Sequence, residues 1–265
     1  MGWLGKVIGG TFGFMFGGPL GLVAGATFGH MFDSSGSASR SGGQQQAFWN
    51  TGAAGAQGRI NTQEQTQMVF FVGAFSMLAK IASVDGTVSQ AERRKVEEFI
   101  VNDLRLQGQA KDAAVRIFDT AQRSEGTFDQ FAHQFYDEFK MNRQMLTVMI
   151  DIMYRVSYAD GSMIEAEEAL IDRAGSIFHF QRSVMDSMRG RYGAKKSSSR
   201  SYSVLGLESS ASDDEVKKAY RKMVNEYHPD KIASKGLPEE FTKFASEKFR
   251  EIQDAYDEIR KSRGL

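Results

Sequence analysis

Side chains able to carry chemistry are few in this sequence, and most are scattered. Cysteine is absent, which removes thiol catalysis, disulfide scaffolds and cysteine-based zinc sites together and fits a reducing compartment. The four histidines, at 30, 133, 179 and 228, fall in separate elements and never pair at metal-binding spacing. No phosphate loop and no nucleophile elbow occurs, so an enzyme is not expected. Two arrangements remain. In the first, His228-Pro229-Asp230 follows a stretch bearing Lys217, Lys218, Arg221 and Lys222. Taken alone, a histidine-proline pair marks only where a helix stops, and charge along a helix is usually a solvated face. In the second, an Asp-Gly pair and a later glutamate occur twice, as Asp85, Gly86, Glu92 and again as Asp160, Gly161, Glu167. Four carboxylates brought close together need a cation or a basic group between them.

The elements that must position these residues are helical. Only three prolines occur, at 19, 229 and 238, and β-branched runs bounded by turns are scarce, so the expected class is all-α. Formal net charge is zero over 265 residues, which argues against a chain that coats nucleic acid. Met68, Phe71, Ala74, Phe75, Leu78 and Ile81 share one helical face, and so do Leu146, Met149, Ile150, Met153 and Val156. Shorter helices are expected over 89–104, 109–122, 127–139 and 164–178. The two acidic copies, 75 positions apart at Asp85 and Asp160, each read as helix, Asp-Gly turn, helix. Ser89-x-x-Glu92 is also a capping box, which gives Glu92 a purely structural use.

Around His228 the pattern is denser. Ser212-Asp213-Asp214-Glu215 caps a helix that Pro229 closes, with Val216, Ala219, Tyr220, Met223, Val224 and Tyr227 along one stripe. A second helix from about Pro238 carries Phe241, Phe244, Ala245, Phe249, Ile252, Ala255, Tyr256 and Ile259 on its own stripe. The two stripes predict an antiparallel hairpin, with Leu205 and Leu207 filling its open end.

The N-terminus differs from both blocks. Between Trp3 and Phe32 the only charge is Lys6, and glycine recurs every fourth position at Gly5, Gly9, Gly13, Gly17, Gly21, Gly25 and Gly29. Each glycine costs a water-exposed helix about 1 kcal/mol against alanine, whereas in lipid the same spacing forms a seam for close helix packing. The expectation is a single transmembrane helix within 1–33 that self-associates into a homodimer. Phe12, Phe14, Phe16, Leu20, Leu22, Val23 and Phe28 would then meet lipid. A hairpin turning at Gly17-Gly18-Pro19, a signal peptide and disordered sequence are the competing readings. Flexible composition marks linkers at 34–59 and 192–201, leaving blocks at 60–191 and 202–265.

The last block resembles a J domain. The resemblance rests on Tyr202-Ser203-Val204-Leu205-Gly206-Leu207, Ala219-Tyr220-Arg221-Lys222, His228-Pro229-Asp230 and Lys248 to Tyr256, in that order. It implies a DnaK-type heat-shock chaperone as partner. His228, Pro229 and Asp230 would be the trigger of ATP hydrolysis, and Lys217, Lys218, Arg221 and Lys222 the docking face. The loop Ile232 to Pro238 is longer than is usual for the family. The middle block resembles the TerB domain of tellurite-resistance proteins, which implies a possible divalent-cation site at Asp85, Glu92, Asp160 and Glu167; no other cofactor is expected. The domain order, with His30-Met31-Phe32-Asp33 closing the apolar run and Lys235-Gly236-Leu237-Pro238 in the loop, is similar to that of J proteins of the bacterial inner membrane. This implies a single-pass anchor with the C-terminal domains in the cytoplasm. No client-holding module is recognisable, so the expected role is local recruitment. A cation-binding signalling or stress-sensing protein acting through the middle block is the alternative.

Overall fold

The structure is a computed structural model that describes residues 17–33, 62–193 and 200–264. Helices account for the regular structure among these residues, with no strand, as the sequence leads one to expect. Element α1 spans Gly18–Asp33, α2 Thr62–Ala82, and α3 Gln90–Glu98, which runs on into a π-helical turn at Phe99–Asp103. There follow α4 (Gly108–Arg123), α5 (Phe128–Phe139), α6 (Arg143–Ser157), α7 (Glu165–Ile177) and α8 (Arg182–Gly193). The last block contributes α9 (Arg200–Val204), α10 (Asp213–Tyr227), α11 (Pro229–Ala233) and α12 (Glu239–Arg263).

Element α2 is the hub of the middle block, packed by α1, α4 and α5. The single apolar face expected for it is an underestimate. Val69, Phe70, Val72 and Met77 are as buried as Phe71 and Phe75, so the helix is enclosed all round. Element α6 is similar, with every position from Met145 to Tyr154 buried. A helix hydrophobic on all sides belongs in the middle of a bundle, and its neighbours supply the solvent-facing surfaces. The two Asp-Gly turns close as the repeat requires. Gly86 and Gly161 take φ of +128° and +90°, a region that costs glycine nothing, and each donates its N–H to the carbonyl three residues earlier. Element α8 is not among the expected helices, because Arg182-Ser-Val-Met-Asp-Ser carries only a weak apolar stripe. Tyr192 and Gly193, expected in a linker, end α8, and Arg200 already opens α9.

In the first segment, the expectations for Leu20 and Val23 are corrected. Both are buried, with Ala24 and Thr27, against the middle block; Leu22 is 75% exposed. Their spacing of i, i+3, i+4 and i+7 makes a face that fits α2, α4 and α5. Gln134 of α5 fixes the helix start, accepting from the Leu20 N–H at 3.0 Å and donating to the Gly17 carbonyl at 2.6 Å. Of the glycine seam, Gly21 is buried within this chain and Gly25 half-buried. Gly5, Gly9 and Gly13 lie outside the described residues. At 1.5 Å per residue α1 is about 24 Å long, and no described helix is long and apolar enough to cross a membrane.

The C-terminal hairpin forms between α10 and α12 as expected. Val216, Met223, Tyr227, Ile252, Ala255 and Ile259 make a core that Val204 and Leu205 close. Tyr220 stacks on Tyr256 at 3.9 Å between ring centroids, and Arg263 ties the end of α12 to the Tyr202 hydroxyl and to Asp213. One part of the expected stripe behaves differently. Phe241, Phe244 and Ala245 belong to the core of the middle block, together with Ile232 and Leu237 of the loop. The Phe241 ring packs against Phe70, Phe71 and Phe75 of α2, and Phe244 against Phe99 in the π-helical turn. At roughly 1.5–3 kcal/mol per buried large apolar side chain, Ile232, Leu237, Phe241 and Phe244 contribute on the order of 6–12 kcal/mol as an upper estimate. That is comparable to the stability of a whole domain.

Candidate functional site

Element α10 starts with a complete capping box. The Ser212 hydroxyl accepts from the Glu215 N–H, and the Glu215 carboxylate accepts from the Ser212 N–H at 2.7 Å. These bonds hold the Glu215 carboxyl below its ordinary pKa. With Asp213 and Asp214 beside it, negative charge sits at the positive end of the helix dipole. Downstream, Lys217, Lys218, Arg221 and Lys222 are all exposed, opposite the buried stripe of Val216, Met223 and Tyr227. The sequence-predicted basic face is therefore one accessible surface.

The helix ends at Tyr227 because Pro229 has no N–H to continue it. The residue before a proline is driven to extended backbone, and His228 sits at φ −61°, ψ 120°. Pro229 then occupies the first turn of α11, where its missing N–H costs nothing, and Asp230 lies in the same turn. The tripeptide is thus a stiff corner between two helices. Asp230 is exposed, while His228 and Pro229 are half-buried. The His228 ring meets Phe249 of α12 edge-on, 5.7 Å between centroids, and its Nδ1 is buried without a hydrogen-bond partner. Lys231 reaches back to the Asn225 side chain. The structure brings together the seven residues of the expected partner site on one helix and its terminal corner.

Behind the corner lies an anchor that the sequence reading missed. The Tyr227 hydroxyl donates to Asp151 Oδ2 of α6 at 3.0 Å and accepts from Arg191 Nη1 of α8 at 3.2 Å. Asp151 is fully buried, and Arg191 Nη1 stands 4.0 Å from its other oxygen. Burial, then the Asp151 charge, pushes the Tyr227 hydroxyl well above its ordinary pKa, so it remains a donor. An aspartate between Ile150 and Ile152 in a wholly apolar run was the available signal, since acids are rarely buried unless paired. Beside this anchor opens a polar cleft of about 490 Å³ between the blocks, whose lining includes Asp103, Arg155, Tyr192, Lys248 and Glu251.

The repeated acids have a different setting. Ser89 and Glu92 form the full capping box of α3. In the second copy Glu167 accepts from the Ile164 N–H at 3.1 Å; isoleucine has no acceptor to return, so only half the box exists. Lys95 places its ammonium 3.0 Å from Asp160 Oδ2. Burial raises the Asp160 carboxyl, but hydrogen bonds from Lys95 and from the Ser162 N–H outweigh it, and the pKa is lowered. Glu167 is held above its ordinary pKa, first by burial, with the nearby Glu92 and Asp160 charges acting in the same direction. Asp85 is exposed at its turn. The copies do bring Glu92, Asp160 and Glu167 into mutual range, and the basic group between them is Lys95. Among the described residues no group of three or more His, Cys, Asp or Glu is disposed to hold a metal ion.

Comparison with known proteins finds three family models along the chain. The family model of the tellurite resistance protein TerB matches residues 71–190, that of the DnaJ domain residues 200–263, and that of the co-chaperone DjlA transmembrane domain residues 1–47. A co-chaperone protein DjlA from Coxiella burnetii is 31% identical, covering 100% of both chains. The chain belongs to the DjlA co-chaperone family. The DjlA proteins of Photobacterium profundum and Vibrio cholerae are 31% and 30% identical, covering 98% of this chain and 99% and 98% of their own. No solved structure matches. Membership in the DjlA family makes the exposed corner of α10 part of a J domain, and the match at residues 1–47 supports anchoring to a membrane.

Proposed function

We propose that this DjlA-family chain stimulates ATP hydrolysis by a DnaK-type heat-shock chaperone and recruits that chaperone to a membrane surface. The observation that carries the reading is one helix that presents Lys217, Lys218, Arg221 and Lys222 to solvent and ends in the stiff His228-Pro229-Asp230 corner. Four cations on one face steer an acidic partner surface and raise its association rate, an effect that salt weakens. Asp230 is open to that partner, and the neighbouring proline keeps it in place relative to the face. The J protein makes and breaks no bond; it favours the conformation of the partner in which hydrolysis proceeds. The membrane segment is the inner-membrane anchor, a single span with the J domain on the cytoplasmic side, where the chaperone and its ATP are. The glycine spacing at Gly5, Gly9 and Gly13, ahead of the helix that packs on the middle block, supports self-association of that segment into a homodimer.

The chain reconstituted in lipid vesicles should carry an ATP-loaded DnaK-type chaperone with it on flotation, and raising the salt should release it. Reversing Lys217, Lys218, Arg221 and Lys222 to glutamate should abolish the association. Flotation of the chaperone that is indifferent to both changes, or no association with the unaltered chain, would contradict the reading.

A further inference from the structure

The J domain and the middle block meet along a seam built by the loop from Ile232 to Pro238 and the first turns of α12. The loop places Ile232 and Leu237 in the core of the block, and the first turns of α12 add Phe241, Phe244 and Ala245, none more than 2% exposed. The Phe241 ring lies 5.0 Å from Phe70 and 6.0 Å from Phe71, and Phe244 lies 5.8 Å from Phe99. Leu20, Val23 and Ala24 of α1 belong to the same buried cluster. Apolar packing therefore runs unbroken from the helix of the membrane-family region to the loop that follows His228-Pro229-Asp230. Polar contacts pin the other side of the corner: the buried Tyr227–Asp151 bond and, at the surface, Arg105 with Glu247 at 2.8 Å. Parting the two blocks would expose aromatic surface on both sides and strand a buried carboxylate.

We infer that the middle block is a fixed mount for the J domain. The two behave as one body, and the trigger meets its chaperone in this single orientation, with the basic face of α10 outward. The function assigned to the mount rests on the J-domain reading above; the mount itself does not. It explains what the longer loop does, and it gives recruitment a direction as well as a place, because α1 and the trigger share one core.

The test uses a disulfide across the seam. A Cβ at Gly236 would lie 3.5 Å from Thr66 Cβ, within the range a disulfide spans, and the chain has no cysteine to compete. The full chain carrying Thr66→Cys and Gly236→Cys should cross-link nearly completely on mild oxidation. The oxidised form should then stimulate the chaperone's ATPase within about threefold of its own reduced form. A loss of about tenfold or more on oxidation, restored by reductant, would show that the blocks must separate and would overturn the mount. Hydrogen exchange on the unaltered chain gives a reading independent of ATPase. The slowest amides of α2 and of α12 should exchange through one shared opening, and α12 exchanging about a hundredfold faster would overturn the inference. If neither redox form stimulates hydrolysis, the function reading falls, while exchange still decides the mount.

Discussion

Glu167 is the residue whose environment makes the most specific demand. Burial holds its carboxyl above the ordinary value of 4.5, so the folded chain keeps a proton that the unfolded chain has released. Its contribution is therefore most favourable below about pH 4.5 and is lost as pH rises through the raised folded value. Replacing it with glutamine keeps an acceptor for the Ile164 N–H and removes the titration. The stability of the natural chain relative to Glu167→Gln should fall as pH rises from 4.5, read from urea midpoints across a pH series. A difference that stays flat would contradict the buried setting. Tyr227→Phe leaves Asp151 buried without its hydroxyl donor and should cost about 1–3 kcal/mol in the same assay, where a surface tyrosine would cost almost nothing. The trigger and basic residues could be found from sequence because their meaning lies in local order. The partners of Asp151 and Lys95 could not, since Tyr227 and Asp160 lie 76 and 65 positions away.

Helix starts were the most readable elements. Ser89 and Ser212 each head a complete capping box in the structure, and each marks its helix by sequence; Thr127 heads a third, at the expected start of its helix. Ser212→Ala should cost about 1 kcal/mol, with the loss concentrated in the C-terminal hairpin by hydrogen exchange. Close approach between helices was not readable. Gly73 lies mid-way along α2, where alanine would be favoured by propensity, yet a Cβ there would come within 2.5 Å of the Phe135 ring. Gly73→Ala should therefore destabilise the chain by about 1–3 kcal/mol, against the up to about 1 kcal/mol gained from propensity. A thermal melt at or above that of the natural chain would show that α2 and α5 are less tightly packed. Enclosure was likewise underread for α2 and α6, because periodicity marks one apolar face and cannot distinguish a half-buried helix from a central one.

Across the whole molecule, the all-α class and the order of blocks follow from composition and pattern. Their union into one core does not. The stripe from Phe241 to Ile259 is continuous in sequence, but it serves two partners, α2 at its start and α10 beyond it. Only the extra length of the loop from Ile232 to Pro238 hints that the early turns are displaced. The N-terminal region shows the same limit: its spacing suits a lipid seam, yet Leu20 and Val23 are buried against the chain's own block. Stimulation of the partner chaperone depends in this reading on the corner at His228. It is tested most directly by single-turnover ATP hydrolysis in a DnaK-type chaperone, with the full chain and its His228→Gln variant added at equal concentration. The natural chain should accelerate hydrolysis strongly, and the variant should leave it near baseline, at matched folding by circular dichroism. Equal acceleration by both, or none by the natural chain, would contradict it.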